Sequence, residues 1–142
     1  MKIIVPFLLL FICLYTVQSQ DLSKHHWENR IILLLTEDLE DHNFTNQLKE
    51  LETGLKALEE RNVIVYQVYQ HQMKMGLAKD ANWTAATNLY KKYDEKNTAF
   101  EFYLIGLDGK VKLQDYNCIS IDKIVDLIDS MPMRKNEIRS KN

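Results

Sequence analysis

Residues Arg30 to Leu35 read RIILLL, a short apolar run bounded by polar residues, and Val63 to Tyr69 read VIVYQVY, dense in β-branched and aromatic side chains. Runs of this length with little polar alternation suit strands buried on both faces. Between them, Phe44, Leu48, Leu51, Leu55 and Leu58 fall on one helical stripe, with Lys49, Glu50, Glu52 and Lys56 off it. Asp41 or Asn43 can cap that helix by accepting from the free amides of its first turn. A strand, a helix and a strand in this order make a right-handed parallel crossover, which commits the chain to an α/β class.

Residues 71–81 have no clear period. From Asn82 the spacing predicts a second helix, with Ala86, Leu89, Tyr90 and Tyr93 on one side and Lys91 and Lys92 toward water. Ala99 to Ile105 reads as a third strand, and Asp108-Gly109 as a two-residue type I′ turn. Val111 and Leu113 alternate with Lys110, Lys112 and Gln114, so the fourth strand exposes one face. Ser120 caps a last helix whose Ile121, Ile124, Val125 and Ile128 face inward, and Pro132 forbids its continuation. The order βαβαββα, a crossover followed by an antiparallel hairpin, predicts a thioredoxin-like fold with a four-stranded mixed sheet and helices on both faces.

Residues 1–19 stand apart from that fold. Lys2, the apolar run from Ile3 to Leu14 and the Val17-Gln18-Ser19 site before Gln20 form a secretory signal pattern, and the run is too short to span a bilayer. Cys13 follows the bulky Ile12, which speaks against a lipid-attachment cysteine. The expected organisation is therefore a signal peptide at 1–19, a flexible lead-in at 20–26 and one domain at 27–139, exported to the periplasm or outside the cell without a stable membrane anchor. Without Lys2, the remaining 17 Lys and Arg face 20 Asp and Glu. No basic block is present, so nucleic acid is not an expected partner. With Cys13 removed, Cys118 is the single thiol, and it is either free or paired with another molecule.

Three stretches carry a family signature: Trp27-Glu28-Asn29-Arg30 ahead of the first strand, LIGLDGKVKL from Leu104, and IDSMPMRKNE from Ile128. Together with Arg61-Asn62-Val63 they resemble a family of thioredoxin-like domains of unknown function. Its members occur alone in exported bacterial proteins and at the carboxyl end of animal sushi-repeat and related extracellular-matrix proteins. The resemblance implies a thioredoxin-like fold and an extracytoplasmic setting, and it supplies no catalytic residue. Leu107 departs from the Lys common before the Asp-Gly turn, and Cys118 lies outside the shared motifs.

A redox enzyme on this fold needs a thiolate where the helix after the first strand begins, because the helix dipole lowers its pKa there. That loop reads Thr36-Glu37-Asp38-Leu39-Glu40-Asp41-His42-Asn43, without cysteine, and Asn97-Thr98-Ala99-Phe100 replaces the proline expected before the third strand. Disulfide exchange by that route is excluded, leaving Cys118 as the candidate thiol of an oxidoreductase or peroxidase. Glu37, Asp38, Glu40, Asp41 and His42 form a candidate loop for a hard cation, although carboxylates ahead of a helix also complement its dipole without any ligand. The shared-motif residues Trp27, Arg30, Asp108, Gly109, Lys110, Asp129, Met131, Pro132, Met133, Arg134 and Glu137 form the third candidate. They read either as a recognition patch or as ion pairs pinning the carboxyl tail against the hairpin, with Met131 and Met133 filling gaps beside aromatic rings. Asn43 and Asn82 lie in glycosylation acceptor patterns and equally suit helix caps. No cofactor and no metal are assigned. The leading reading is a non-catalytic exported module that binds a protein or an envelope or matrix component.

Overall fold

Alternate residues of the first strand pack on opposite sides, which explains why RIILLL is apolar throughout. In the computed structural model, which describes residues 22–86, 88–93 and 98–141, this strand is β1, Arg30–Thr36, buried along its whole length. Ile32 and Leu34 join Phe44, Leu51, Leu58, Phe102, Leu104, Ile124 and Ile128 on one face. Ile31, Leu33 and Leu35 join Tyr66, Val68, Leu89, Tyr103 and Ile105 on the other. The expected signal peptide, Cys13 and Gln20 lie outside the described residues.

The helical stripe forms as expected but is broken in two: α1 is His42–Thr53 and α2 is Leu55–Glu59, separated by Gly54. A side chain at Gly54 would meet Ile121 at 2.1 Å, so the break brings the chain close to the last helices. Asp41, not Asn43, is the cap, accepting from the Phe44 amide at 2.9 Å. β2, Val63–Tyr69, then pairs parallel to β1.

The sheet has six strands, not four, in the order β4-β3-β2-β1-β5-β6. The unassigned stretch supplies β3, Gln72–Met75, hairpinned onto β2, and Thr84–Ala85 forms a two-residue β4 on its edge. The expected helix after Asn82 therefore shortens to α3, Leu89–Tyr93. Backbone pairing with β3 claims the residues just after Asn82, and pairing to an existing edge overrides a weak helical period. β5, Phe100–Ile105, runs antiparallel to β1, and β6, Val111–Asp115, closes the other edge.

The β5–β6 turn is not type I′. Among the two expected turn residues only Gly109 is left-handed, at φ 71°, and its amide donates to the Gly106 carbonyl at 3.0 Å. The Gly106 amide in turn donates to the Lys110 carbonyl at 2.9 Å, giving a three-residue loop with glycine at its left-handed position. The register slips by one between the Leu104–Leu113 and Ile105–Val111 pairs, a bulge at Lys112.

Ser120 caps α4, Ile121–Ser130, as expected. Pro132 stops that helix and also starts another, α5, Pro132–Ser140, because proline at the first helical position lacks only an amide that would be unpaired there anyway. Leu22–His25 is a single 3-10 turn with Leu22 and His25 buried. His25 bonds the Tyr66 hydroxyl at 2.8 Å, so this part of the expected flexible lead-in is packed on the domain.

Candidate functional site

Arg30 opens β1 on the Ile32 and Leu34 side, and its side chain is fully buried, at 0 % exposure. A buried guanidinium requires partners. Its Nη2 donates to Glu137 Oε1 at 2.9 Å, and its Nη1 donates to the Arg61 carbonyl at 2.8 Å. Glu137, from α5, also accepts from Arg134 Nη1 at 3.1 Å. Arg134 Nε reaches Asp129 Oδ1 at 3.2 Å, and Asp129 takes two hydrogen bonds from Arg61, at 2.9 and 2.6 Å.

The result is a chain of alternating charge, Arg30, Glu137, Arg134, Asp129, Arg61, at the end of the sheet where β1 and β2 begin. Hydrogen bonds from Arg61, reinforced by Arg134, hold the Asp129 carboxyl below its ordinary value despite partial burial. Burial pushes Glu137 the other way, yet Arg30 and Arg134 together outweigh it and lower its pKa. Burial likewise works against the Arg134 charge, and its bonds to Glu137 and Asp129 still carry it above the usual guanidinium value.

Ion pairs and a carbonyl contact tie α5 to the α2–β2 junction and the start of β1, not to the hairpin. Arg61, Ala57 and Glu60 supply that surface: Arg134 Nη1 donates to the Glu60 carbonyl, and Arg61 Nη1 to the Ala57 carbonyl. Asp108 is outside the network. Its Oδ2 accepts from Lys112 Nζ at 2.8 Å, and that bond first, against slight burial, holds its carboxyl below the ordinary value. Lys110 stays exposed at the turn. Met131 packs on the core, whereas Met133 is 39 % exposed and fills no interior gap.

Between the hairpin turn and the start of α5 lies a cleft of about 270 Å³. Arg30, Gly106, Leu107, Asp108 and Lys112 line one side, and Met131, Pro132 and Met133 the other. Trp27 stands near it. This residue is 66 % exposed, has a left-handed backbone at φ 68°, and donates its amide to the Leu107 carbonyl at 2.8 Å. A bulky residue at positive φ is an outlier, of the kind that clusters at ligand-binding sites.

Most of the shared-motif residues thus gather at one end of the sheet. Leu107, Lys112 and Arg61 complete this surface and were not among the candidates. Lys112 alternates with Val111 and Leu113 as a solvated strand residue does, and nothing in the local pattern around Arg61 announces a partner 68 positions away.

The acidic loop lies at the opposite end of β1, roughly 20 Å away at strand spacing. There Asp38 Oδ1 accepts from the Glu40 amide at 2.9 Å, Asp41 caps α1, and His42 bonds Asn46 at 2.9 Å. Glu37 and Glu40 are exposed. Among the described residues no three His, Cys, Asp or Glu side chains gather to hold a metal. Cys118 lies in the loop between β6 and α4, apart from the ion cluster but beside the end of the acidic loop, where its amide donates to Asn43 Oδ1 at 3.4 Å. Burial, and then the Glu50 carboxylate, push its thiol pKa up, the opposite of what a reactive thiolate needs.

Among solved structures, the reduced 2-Cys peroxiredoxin of Plasmodium vivax superposes with a TM-score of 0.59 at 16% identity, covering 81% of this chain and 72% of its own. Thioredoxin peroxidase I of Plasmodium yoelii gives 0.58 at 19% identity, covering 81% and 79%. The mitochondrial 2-Cys peroxiredoxin of Plasmodium falciparum gives 0.52 at 16% identity, covering 78% and 79%. At these identities the likeness speaks for a shared thioredoxin-like fold. A search of curated proteins finds no match. The profile of one family, described as "Domain of unknown function (DUF4174)", matches residues 21–137, and the chain belongs to that family.

Proposed function

We propose that this chain is an exported, non-catalytic binding module whose recognition surface is the cleft between the hairpin turn and α5. The observation that carries the reading is the convergence of Arg30, Asp108, Lys112, Met131, Pro132 and Met133 on one concave surface beside the exposed Trp27. A concave, mainly apolar surface with a few placed polar groups is the usual form of a ligand site. Two further features support binding over chemistry: the start of α1 has no thiol, and the pKa of Cys118 is raised rather than lowered. Export rests on the signal pattern at residues 1–19, and amino-terminal sequencing of the product released by a secreting host should begin near Gln20. No described helix is long and apolar enough to cross a membrane.

A fragment screen read by the methyl resonances of labelled methionine tests the site. Fragments that bind should move Met131 and Met133 and leave Met73, on the opposite face of the sheet, in place. A screen in which no fragment moves Met131 or Met133 removes the cleft as a recognition surface.

The likeness to peroxiredoxins favours a second reading, a thiol peroxidase working through Cys118. Peroxide consumption by the purified protein that disappears in Cys118→Ser would establish it. Equal, background-level consumption by both proteins dismisses it.

A further inference from the structure

The buried ion cluster is not charge-balanced. Arg30, Arg61 and Arg134 face only Asp129 and Glu137 at close range, while Glu60 stands 3.9 Å from Arg61 at the outer end and is largely exposed. The surplus positive charge coincides with an unmatched donor. Arg30 Nε is buried and finds no acceptor among the described residues. Leaving such a donor unpaired is costly, and more so when it carries charge.

Arg30 also contributes to the wall of the cleft. At the rim, Lys112 gives one of its three N–H groups to Asp108, leaving the others for an anion. The rest of the lining, Leu107, Met131, Pro132 and Met133, is apolar. A volume of about 270 Å³ equals roughly nine waters at their liquid share, enough for a short carbon chain with its acid group.

We infer that the cleft binds a monocarboxylate bearing a short apolar group, the acid answering the surplus charge of Arg30 and Lys112 and the apolar group covering Leu107, Met131 and Met133. This rests on the cleft being the recognition surface and adds the class of ligand it takes. Two sources offer that chemistry, a free acyl acid and the carboxyl end of a peptide finishing in an aliphatic residue. Phosphate esters fit less well, because Asp108 stands at the rim and would repel a second negative charge.

Three probes decide it by nuclear magnetic resonance on the folded chain: octanoate, N-acetyl-leucine and N-acetyl-leucinamide. At least one of the acids should move the Met131 and Met133 methyls and the Arg30 Nε–H together, saturably, with the neutral amide about tenfold weaker. Response to octanoate alone points to a free acid, and response to N-acetyl-leucine alone to a peptide end. Met133→Glu, at an exposed position, should abolish the response without unfolding the chain, and Lys112→Ala should weaken it. An amide that binds as well as the acids overturns the carboxylate inference while leaving the cleft as a binding surface. Silence from all three probes while other fragments move Met131 and Met133 also overturns the inference alone, and silence from every compound overturns both.

Discussion

Arg61 meets Asp129 with two parallel hydrogen bonds, Nε to Oδ1 at 2.9 Å and Nη2 to Oδ2 at 2.6 Å, joining the start of β2 to the end of α4. Lysine cannot reproduce this fork, because an ammonium is a single point charge. Arg61→Lys should therefore lower stability by about 1–2 kcal/mol, discounted for the partial exposure of Asp129. Urea unfolding of the two proteins measures the difference, and an unchanged midpoint would show the fork to be replaceable.

Glu137→Gln should cost more. It removes the counter-charge of the fully buried Arg30 and leaves that guanidinium among carbonyls and apolar side chains. Breaking a buried pair costs about 3–5 kcal/mol, and the partial exposure of Glu137 brings this to about 2–4. Arg30→Met with Glu137→Gln should recover part of the loss, since an apolar replacement leaves no buried charge unpaired. A double variant no more stable than Glu137→Gln would contradict this account.

Acid should destabilise the fold through Asp129 and Glu137. Both carboxyls have lowered folded pKa values, so near the ordinary carboxylate range the unfolded chain binds more protons than the folded one. Their stabilisation is fully present above that range and is lost as pH falls through it and then through the folded values. Urea midpoints should hold steady from neutral pH to about pH 5 and drop below about pH 4. The drop should be shallower in Asp129→Asn, and an equal slope in wild type and variant would assign the acid sensitivity elsewhere.

Gly109→Ala tests the hairpin turn. The position has φ 71°, and an added Cβ would lie 2.1 Å from His26 Nε2. Backbone strain alone should cost about 1 kcal/mol, as it should at Gly76, where φ is 85° and the surrounding space is open. The excess of Gly109→Ala over Gly76→Ala is the contribution of His26, and His26→Ala should erase it.

Cys118 should react slowly. Its alkylation by iodoacetamide should follow a pH profile displaced above that of free cysteine, because burial and Glu50 both oppose the thiolate. Glu50→Gln keeps an oxygen for the Ile121 amide while removing the charge, and it should move the profile only part of the way down, since burial is the larger cause. A profile at or below that of free cysteine would restore the thiol as a catalytic candidate.

The central strands, α1 and α4 were legible because each buries a face, and burial writes its period into the sequence. β3 was not. Gln72-Met73-Lys74-Met75 is short, and only Met73 enters the core cluster on its side of the sheet, so its strand character comes from the β2 edge it pairs with. Pro132 announces an ending in the sequence, and the same absent amide lets it begin α5 as well. Backbone pairing of Gly106 with Lys110 encloses three residues, where Asp108-Gly109 alone suggests a two-residue turn. The motif residues around Arg30, Arg134 and the Met-Pro-Met run were identifiable from the chain. Their grouping into a cleft facing away from the α1 loop required the long-range pairing, which no local pattern encodes.

Arg30 and Glu137 are separated by 107 positions, so during synthesis the first strand emerges long before the residue that neutralises its buried charge. A nascent chain halted before α5 would have to expose that guanidinium or shelter it without a counter-ion. Closure of the central sheet is thereby tied to the synthesis of α5. Such a chain stays open at its centre until the residue that locks it has been made.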